Sequence, residues 1–256
     1  AILFPYERVG NIDQVKFREP SGLTFHPGRG TLFAVGDKGD LCEIETDGAL
    51  VQTVDWGKLN LEGIAVDPST GLLYVVVEGK DEILEVDPEG FALRRTFDIK
   101  RRYAGKEVLK KGGGGLEGIV FVADEQHPEG GVFYIANQSY DAAVEEDISA
   151  ILKVVLPLRS SRGDAKVGIE SIFFTGVANM SGLAYDAKAQ VLYIISDANN
   201  CIFLVSISGV LLKGYALPER DQEGIAFDRQ GNAYIARDSG GIIKYAPRNY
   251  REKGSE

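Results

Sequence analysis

The sequence predicts an all-β protein, a five-bladed β-propeller, and three observations support this prediction. A short β unit occurs five times, each copy contains the same glycine, and no stretch has a convincing helical pattern. The shared glycine stands at positions 22, 63, 118, 182 and 224, so the spacings are 41, 55, 64 and 42 residues. A four-stranded blade needs about 40 to 50 residues, and the two longer intervals carry insertions. Five copies of a self-similar β unit indicate a propeller.

The unit is clearest over residues 61–86, LEGIAVDPSTGLLYVVVEGKDEILEV. Ile64 to Val66 is a short apolar run, and residues 67–71 carry the proline and glycine of a tight turn. Leu72 to Val77 is rich in β-branched residues and too short for a typical helix. A third run, Ile83 to Val86, follows a polar turn. This pattern predicts a meander of antiparallel strands.

We predict a single domain over residues 1–256, with repeats near 17–57, 58–100, 113–175, 177–218 and 219–247. The last repeat lacks a clear fourth strand after Ile242 to Tyr245. An N-terminal strand within residues 5–16 is expected to complete that blade, because this closure removes two open sheet edges at once. The alternative is a disordered N-terminal arm.

Composition restricts the partners and the compartment. The 28 basic and 38 acidic residues give a net charge of −10, which disfavours nucleic acid and anionic membranes and favours cations. No apolar run reaches the ~18 residues of a membrane span. Cys42 and Cys201 open the third strands of blades that are not neighbours, so a disulfide is not expected. The sequence starts at Ala1 without a leader; either a leader was removed or the boundary was trimmed.

Three connecting segments differ from the repeat. The six basic residues between Lys100 and Lys111 are interpreted as a solvated loop, with docking of an acidic partner as the alternative. The run Gly112 to Gly115 lacks the Gly-Lys-Ser/Thr of a phosphate loop and is interpreted as flexible backbone near the pore. The acidic insertion from Ser139 to Ser149 is expected to overhang one face of the ring.

Acidic residues recur at one end of the predicted blades. In an up-and-down meander, the start of the first strand and the end of the second strand lie at the same edge, and the first strand lines the central channel. Seven of the ten side chains at these positions are carboxylates aimed at one funnel mouth. The strand starts contribute Ser21, Glu62, Glu117, Ser181 and Glu223, and the strand ends contribute Asp37, Glu78, Gln138, Asp197 and Asp238.

This funnel predicts a bound divalent cation. Like charges at close range raise pKa values or require a counter-ion. Several hard oxygen ligands on rigid strand ends suit Ca²⁺ better than zinc, which prefers imidazole or thiolate. The competing interpretation is a solvated acidic rim. His26 and His127 fall at the opposite edge and are interpreted as turn residues.

The repeats also resemble a known family, the SdiA-regulated (YjiK-like) bacterial proteins. The resemblance is carried by SGLTF…LFAVGDKGDL, LEGIAVDPSTGLLYVVVEG, LEGIVF…FYIANQ, SGLAYD…LYIISDANN and QEGIAFDRQGNAYIARD. It covers about residues 17 to 247. It implies a five-bladed propeller distantly related to NHL repeats, a Ca²⁺ site, and a membrane anchor or leader in the full-length protein. The family has no established reaction, so the resemblance implies fold and cation only.

Carried over residue by residue, the family's recurring motif matches Glu62, Glu117 and Glu223 best as metal ligands. Asp37 departs from the pattern, because family members have an amide there, and this leaves open which blades hold the ion. The other seven positions are expected to line a ligand-binding funnel. The resemblance places the protein in the periplasm or at the membrane of the bacterial envelope.

Two functions and a third option follow from these observations. The first is a calcium-binding propeller that presents its funnel to a small molecule or an envelope protein. The second is a Ca²⁺-dependent hydrolase of the lactonase, esterase or phosphatase kind, in which the metal polarises a carbonyl or phosphoryl oxygen. The absence of a funnel histidine argues against the second. The third is a scaffold without a small ligand, and the fold alone does not choose among them.

Overall fold

The computed structural model describes residues 2–109, 112–138 and 149–248. The insertion that begins at Ser139 therefore lies outside the described residues apart from Ser149, and so do Lys110 and Lys111. The described chain is built from β-strands. It contains no helix of the length and apolarity that crossing a membrane requires.

The first twelve strands, in chain order, are β1 (Ile2–Leu3), β2 (Tyr6–Asn11), β3 (Pro20–His26), β4 (Thr31–Gly36), β5 (Asp40–Ile44), β6 (Leu50–Asp55), β7 (Leu61–Val66), β8 (Leu73–Val77), β9 (Glu82–Val86), β10 (Leu93–Ile99), β11 (Arg102–Tyr103) and β12 (Lys106–Glu107). The remaining strands are β13 (Leu116–Ala123), β14 (Gly131–Asn137), β15 (Ala150–Val154), β16 (Ala165–Val167), β17 (Ile169–Phe173), β18 (Met180–Asp186), β19 (Val191–Ser196), β20 (Cys201–Ser206), β21 (Leu211–Ala216), β22 (Gln222–Phe227), β23 (Ala233–Arg237) and β24 (Ile242–Pro247).

These strands form five antiparallel blades around a channel, which confirms the predicted fold class. From the channel outwards the blades are β3-β4-β5-β6, β7-β8-β9-β10, β13-β14-β15-β17, β18-β19-β20-β21 and β22-β23-β24-β2. Two short strands extend the outer edges in parallel: β16 pairs with β10, and β1 pairs with β21. The hairpin of β11 and β12 stands apart from the blades.

The N-terminal strand completes the fifth blade, as the sequence predicts. β2 pairs antiparallel with β24, and the register places Arg8 opposite Tyr245 and Asn11 opposite Ile243. The pairing continues one residue further, where the amide of Ile12 donates to the carbonyl of Ile242 over 2.8 Å. The beginning and the end of the described chain therefore share one sheet, which closes the ring.

The hydrophobic core is divided among the five interfaces between neighbouring blades. At the interface of the second and third blades, Tyr74 and Phe97 pack with Phe133, and the rings of Tyr74 and Phe133 lie 4.8 Å apart. Equivalent clusters fill the other four interfaces. Both faces of the inner strands are buried in this arrangement, which is why the second strands are continuous apolar runs and not alternating ones.

The glycine shared by all five repeats lets the inner strands approach each other around the channel. A Cβ at each of these positions would collide with the backbone of the next blade; on Gly118 it would lie 2.6 Å from the carbonyl oxygen of Ser181. The same relation runs around the ring: Gly22 meets Glu62, Gly63 meets Glu117, Gly118 meets Ser181, Gly182 meets Glu223, and Gly224 meets Ser21. The repeat spacing of glycine is therefore a packing requirement of the closed ring.

Candidate functional site

The sheet register brings the predicted funnel residues to one end of the channel. In every blade the first residue of the inner strand pairs with the end of the second strand, as Leu61 pairs with Val77 and Gln222 pairs with Arg237. A register shift at the shared glycine marks a β-bulge in all five blades. Bulges re-aim side chains and recur beside functional sites. Each bulge contains the Ser or Glu of the funnel.

Glu62, Glu117 and Glu223 form the centre of this acidic end. Glu117 is only 7% exposed, and Glu62 and Glu223 are partly buried. Glu117 shares hydrogen bonds with both Glu62 and Glu78. Glu117 of the third blade thus contacts two carboxyl groups of the second blade, and Glu223 faces them from the fifth blade.

Burial is the main cause of the unusual proton affinity of these groups. It raises the pKa of Glu62 to about 9, with the charges of Asp37, Glu78 and Glu223 adding to the effect. It also raises the pKa of Glu117 well above its ordinary value, and the hydrogen bond to Glu78 acts in the same direction. Without a cation, Glu117 therefore holds a proton more tightly than an exposed glutamate does.

Glu223 behaves in the same way on the other side of the channel. Burial raises its pKa to about 8, and the neighbouring charge of Asp197 contributes further. A hydrogen bond from Ser181 opposes the shift. Burial also raises the pKa of Asp197 and of Asp238. Glu62 and Glu223 therefore keep a proton at neutral pH unless another cation replaces it.

Backbone amides of the glycine run hold Glu78. Its Oε1 accepts hydrogen bonds from the amides of Gly114 and Gly115, the second over 3.0 Å, and its Oε2 accepts one from Nδ2 of Asn60 over 2.7 Å. The prediction that this run lies near the pore agrees with these contacts. Glycine has no side chain, so the amides of this run can approach the Glu78 carboxylate closely.

A second carboxylate group lies at the rim, between the first and fifth blades. Among the described residues, one set of three carboxylates has oxygens that all lie within 4.8 Å of one another, and this set is Glu19, Asp37 and Asp238. Lys38 pairs with Glu19, and Ser21 donates to Asp37. The oxygens of the three central glutamates are less closely gathered. The rim therefore already contains one positive charge.

Glu19 is a residue that the sequence analysis missed. It stands three residues before the shared glycine, a position that is polar in four of the five blades and is occupied in order by Glu19, Asn60, Gly115, Asn179 and Asp221. The recurrence of a polar residue directly before the inner strand is the sequence signal for this position. Three of these residues have positive φ, at 48° for Glu19, 46° for Asn179 and 59° for Asp221, so the strand entry is left-handed in the first, fourth and fifth blades.

The remaining funnel positions have backbone contacts that fix their place. The amide of Gln138 donates to the carbonyl of Gly115 over 2.9 Å, and the hydroxyl of Ser181, which can donate to Glu223, also lies 3.2 Å from the carbonyl oxygen of Gln222. His26 is buried at the opposite edge, where its Nε2 lies 3.0 Å from the carbonyl oxygen of Gly71. No described histidine contact reaches the funnel.

The channel narrows below the glutamates and widens again at the far end. The glycine ring encloses a space of about 10 Å³, enough for roughly one water molecule. The opposite mouth is a cavity of about 470 Å³ lined by the ends of all five inner strands, including Val66, Phe121, Tyr185 and Phe227. This mouth was not among the sites expected from the sequence, although the apolar ends of the inner strands indicate it.

Comparison with known proteins supports the fold. No protein-family model matches the sequence, and no curated protein matches it either. The structure is similar to a glutaminyl cyclase of Myxococcus xanthus, with a TM-score of 0.64, 14% identity, and coverage of 94% of this chain and 97% of that one. It is also similar to a gluconolactonase of Xanthomonas campestris, with a TM-score of 0.54, 17% identity, and coverage of 95% and 85%.

A third similar structure is the β-propeller domain of Cps50 (Swd1) from Myceliophteria thermophila, with a TM-score of 0.52, 10% identity, and coverage of 94% of this chain and 99% of that one. Identities this low establish a shared architecture. They establish no shared activity. The chain is therefore a β-propeller, and its resemblance to the SdiA-regulated proteins stays a prediction.

Proposed function

We propose that this protein is a calcium-binding propeller of the bacterial envelope that holds a ligand at its acidic funnel. One observation carries the proposal: Glu62 and Glu117 are in contact at the channel entrance, Glu223 faces them, and all three have raised pKa values. Burying several carboxylates without a counter-charge is unfavourable. A divalent cation would compensate that cost.

The donor set fits a hard cation. The described funnel offers carboxylate, hydroxyl and backbone oxygens, which Ca²⁺ binds in sets of six to eight, and it offers neither imidazole nor thiolate. Glu62, Glu117 and Glu223 would hold the ion. The rim group of Glu19, Asp37 and Asp238 is the competing position, and Lys38 already neutralises part of its charge.

The test is calcium titration by calorimetry, combined with thermal unfolding. Calcium at 100 times its Kd should stabilise the fold by about 2.7 kcal/mol. Binding should also release protons at pH 7, because the metal needs the ionised glutamates; the binding enthalpy will then depend on the ionisation enthalpy of the buffer. Absence of binding, together with no effect of chelator on Tm, would leave the funnel as a solvated acidic rim.

Two variants separate the two positions for the ion. Glu117→Gln should abolish binding if the central glutamates hold calcium, whereas Asp238→Asn should abolish it if the rim group does. Glu125→Gln is the matched control, because Glu125 is exposed in the loop between β13 and β14. Equal affinity in all three variants would contradict a funnel site.

Acid–base catalysis is the second candidate function, and the contact of Glu117 with both Glu62 and Glu78 favours it. A carboxyl group with a raised pKa can donate or accept a proton near neutral pH, as general acid–base catalysis requires. Two of the similar structures are enzymes by name, a glutaminyl cyclase and a gluconolactonase. When bound, calcium would supply a Lewis acid for this chemistry.

The catalytic candidate is tested with a panel of lactones, aryl esters, phosphate monoesters and an N-terminal glutaminyl peptide. Each substrate is assayed with calcium and with chelator. Turnover of about 1 s⁻¹ or more, abolished in Glu223→Gln and retained in Glu125→Gln, would establish an enzyme. Equal background rates in all variants would favour the binding function alone.

A further inference from the structure

A second, positively charged cavity lies at the outer side of the second blade. It has a volume of about 570 Å³. Five basic side chains and two acidic ones line it, although the whole chain has a net charge of −10. The lining residues are Lys80, Asp81, Asp98, Ile99, Lys100, Arg101, Arg102 and Lys166.

Separate parts of the chain converge to form this cavity. Lys80 and Asp81 belong to the turn between β8 and β9, and the carbonyl of Asp81 accepts a hydrogen bond from the amide of Ile99 over 2.8 Å. The amide of Lys100 donates to the carbonyl of Val167 over 2.8 Å. β16 contributes Lys166, which pairs in register with Asp98 of β10. The cavity is thus fixed by strand pairing, not by side chains alone.

Most of the positive charge in the cavity has no counter-charge. Asp81 is 2% exposed and pairs with Arg101, so this carboxylate is already used. Lys80, Lys100 and Lys166 are exposed, and within the described ranges no carboxylate oxygen lies within 4.0 Å of their amino groups. Several uncompensated ammonium groups facing one concave space create a local positive potential.

We propose that this cavity binds a small molecule carrying two or more phosphate or sulfate groups. Lysine ammonium and arginine guanidinium groups are the usual donors to such oxyanions. The volume accommodates more than one such group, and the charge exceeds what a single carboxylate would balance. A concave site of this size is typical of small ligands. The strongly acidic remainder of the chain opposes extended polyanionic surfaces.

The cavity opens at the same end of the propeller as the acidic funnel. Glu78, which contacts Glu117 in the funnel, precedes Lys80 by two residues in the same turn. This end therefore presents a site for anions beside a site for cations. The sequence interpretation of residues 100–111 as a solvated loop did not include Lys80 and Lys166, which are distant from that run in sequence and join it only in the folded chain.

The experiment is calorimetric titration with pyrophosphate, inorganic phosphate and a sulfated disaccharide, at fixed ionic strength and with EDTA present. The chelator removes metal from the funnel, so that oxyanions bound by a funnel ion do not contribute. Pyrophosphate or the sulfated disaccharide should bind at least tenfold more tightly than inorganic phosphate, with an affinity that falls as salt is added. The tighter of the two ligands identifies the source of the oxyanion.

Lys100→Ala combined with Lys166→Ala should weaken that binding at least tenfold. Lys188→Ala is the matched control, because Lys188 is an exposed lysine in the turn between β18 and β19. Circular dichroism and Tm confirm that each variant is folded. Equal affinity of the double variant and the control would overturn the proposal, and so would the absence of binding by both ligands at millimolar concentration. Neither result tests the proposed calcium site in the funnel, because the titration is carried out with EDTA.

Discussion

Replacing Glu223 by glutamine should change how the stability of the metal-free protein depends on pH. Burial raises the pKa of Glu223 from 4.5 to about 8 in the folded state. Below pH 4.5 the carboxyl group is protonated in both the folded and the unfolded chain. Between pH 4.5 and 8 the folded chain keeps a proton that the unfolded chain loses. The free energy of unfolding therefore falls as pH rises through this window.

The magnitude follows from the size of the shift. One such group lowers the free energy of unfolding by about 1.4 kcal/mol per pH unit, and the loss reaches about 5 kcal/mol when pH exceeds 8. Glutamine is neutral at all these pH values and can still accept the hydrogen bond from Ser181. Relative to the wild type, Glu223→Gln should therefore gain roughly 4 kcal/mol between pH 5 and pH 8.

The assay is urea unfolding in EDTA at pH 5, 6, 7 and 8, with Glu125→Gln as the control. The control should follow the wild type at every pH, because Glu125 is exposed. The reasoning is refuted if the difference between Glu223→Gln and the wild type is the same at pH 5 and pH 8. Excess calcium should flatten the pH dependence of the wild type, because the ion replaces the proton.

Three further predictions concern the architecture. Gly118→Ala should lower the free energy of unfolding by roughly 1–3 kcal/mol, because its Cβ would lie 2.6 Å from two backbone atoms of the next blade. Gly10→Ala is the control, since a Cβ there has nothing within 4 Å, and it should change the free energy by less than about 0.5 kcal/mol. Urea unfolding compares the two variants. Arg95→Met should lower the free energy of unfolding by about 3–5 kcal/mol, because it leaves Glu85, which is 3% exposed, without its ion-pair partner. Arg94→Met breaks an exposed ion pair and should lower it by less than about 1 kcal/mol. Equal losses in the two variants would contradict this reasoning. Deleting residues 1–12 should lower Tm or cause aggregation measurable by light scattering, because β24 and β21 lose their partners; an unchanged Tm would refute closure by β2.

The sequence by itself determined the architecture. Turn residues and β-branched runs are local signals, and they recur with the shared glycine in five copies. A blade buries its faces only against its neighbours, so repetition implies a ring. The missing fourth strand of the last repeat predicted the closure by β2, since an unpaired edge is unfavourable.

The sequence also predicted which end of the channel carries the acidic residues, because strand direction places the start of one strand beside the end of the next. It did not predict which carboxylates meet. The contact of Glu117 with Glu62 and Glu78 depends on how the bulges turn side chains from two blades towards each other. Such distances between blades follow from the radius of the closed ring, which the glycine contacts determine.

The tertiary structure alone decided the remaining features. Glu19 joins Asp37 and Asp238 across the junction between the first and last blades, residues separated by most of the chain. Lys80, Lys100 and Lys166 come together because β16 pairs with the outer edge of the second blade. No local sequence pattern predicts this pairing. Charges act over a few ångströms of space, and sequence separation does not measure that distance.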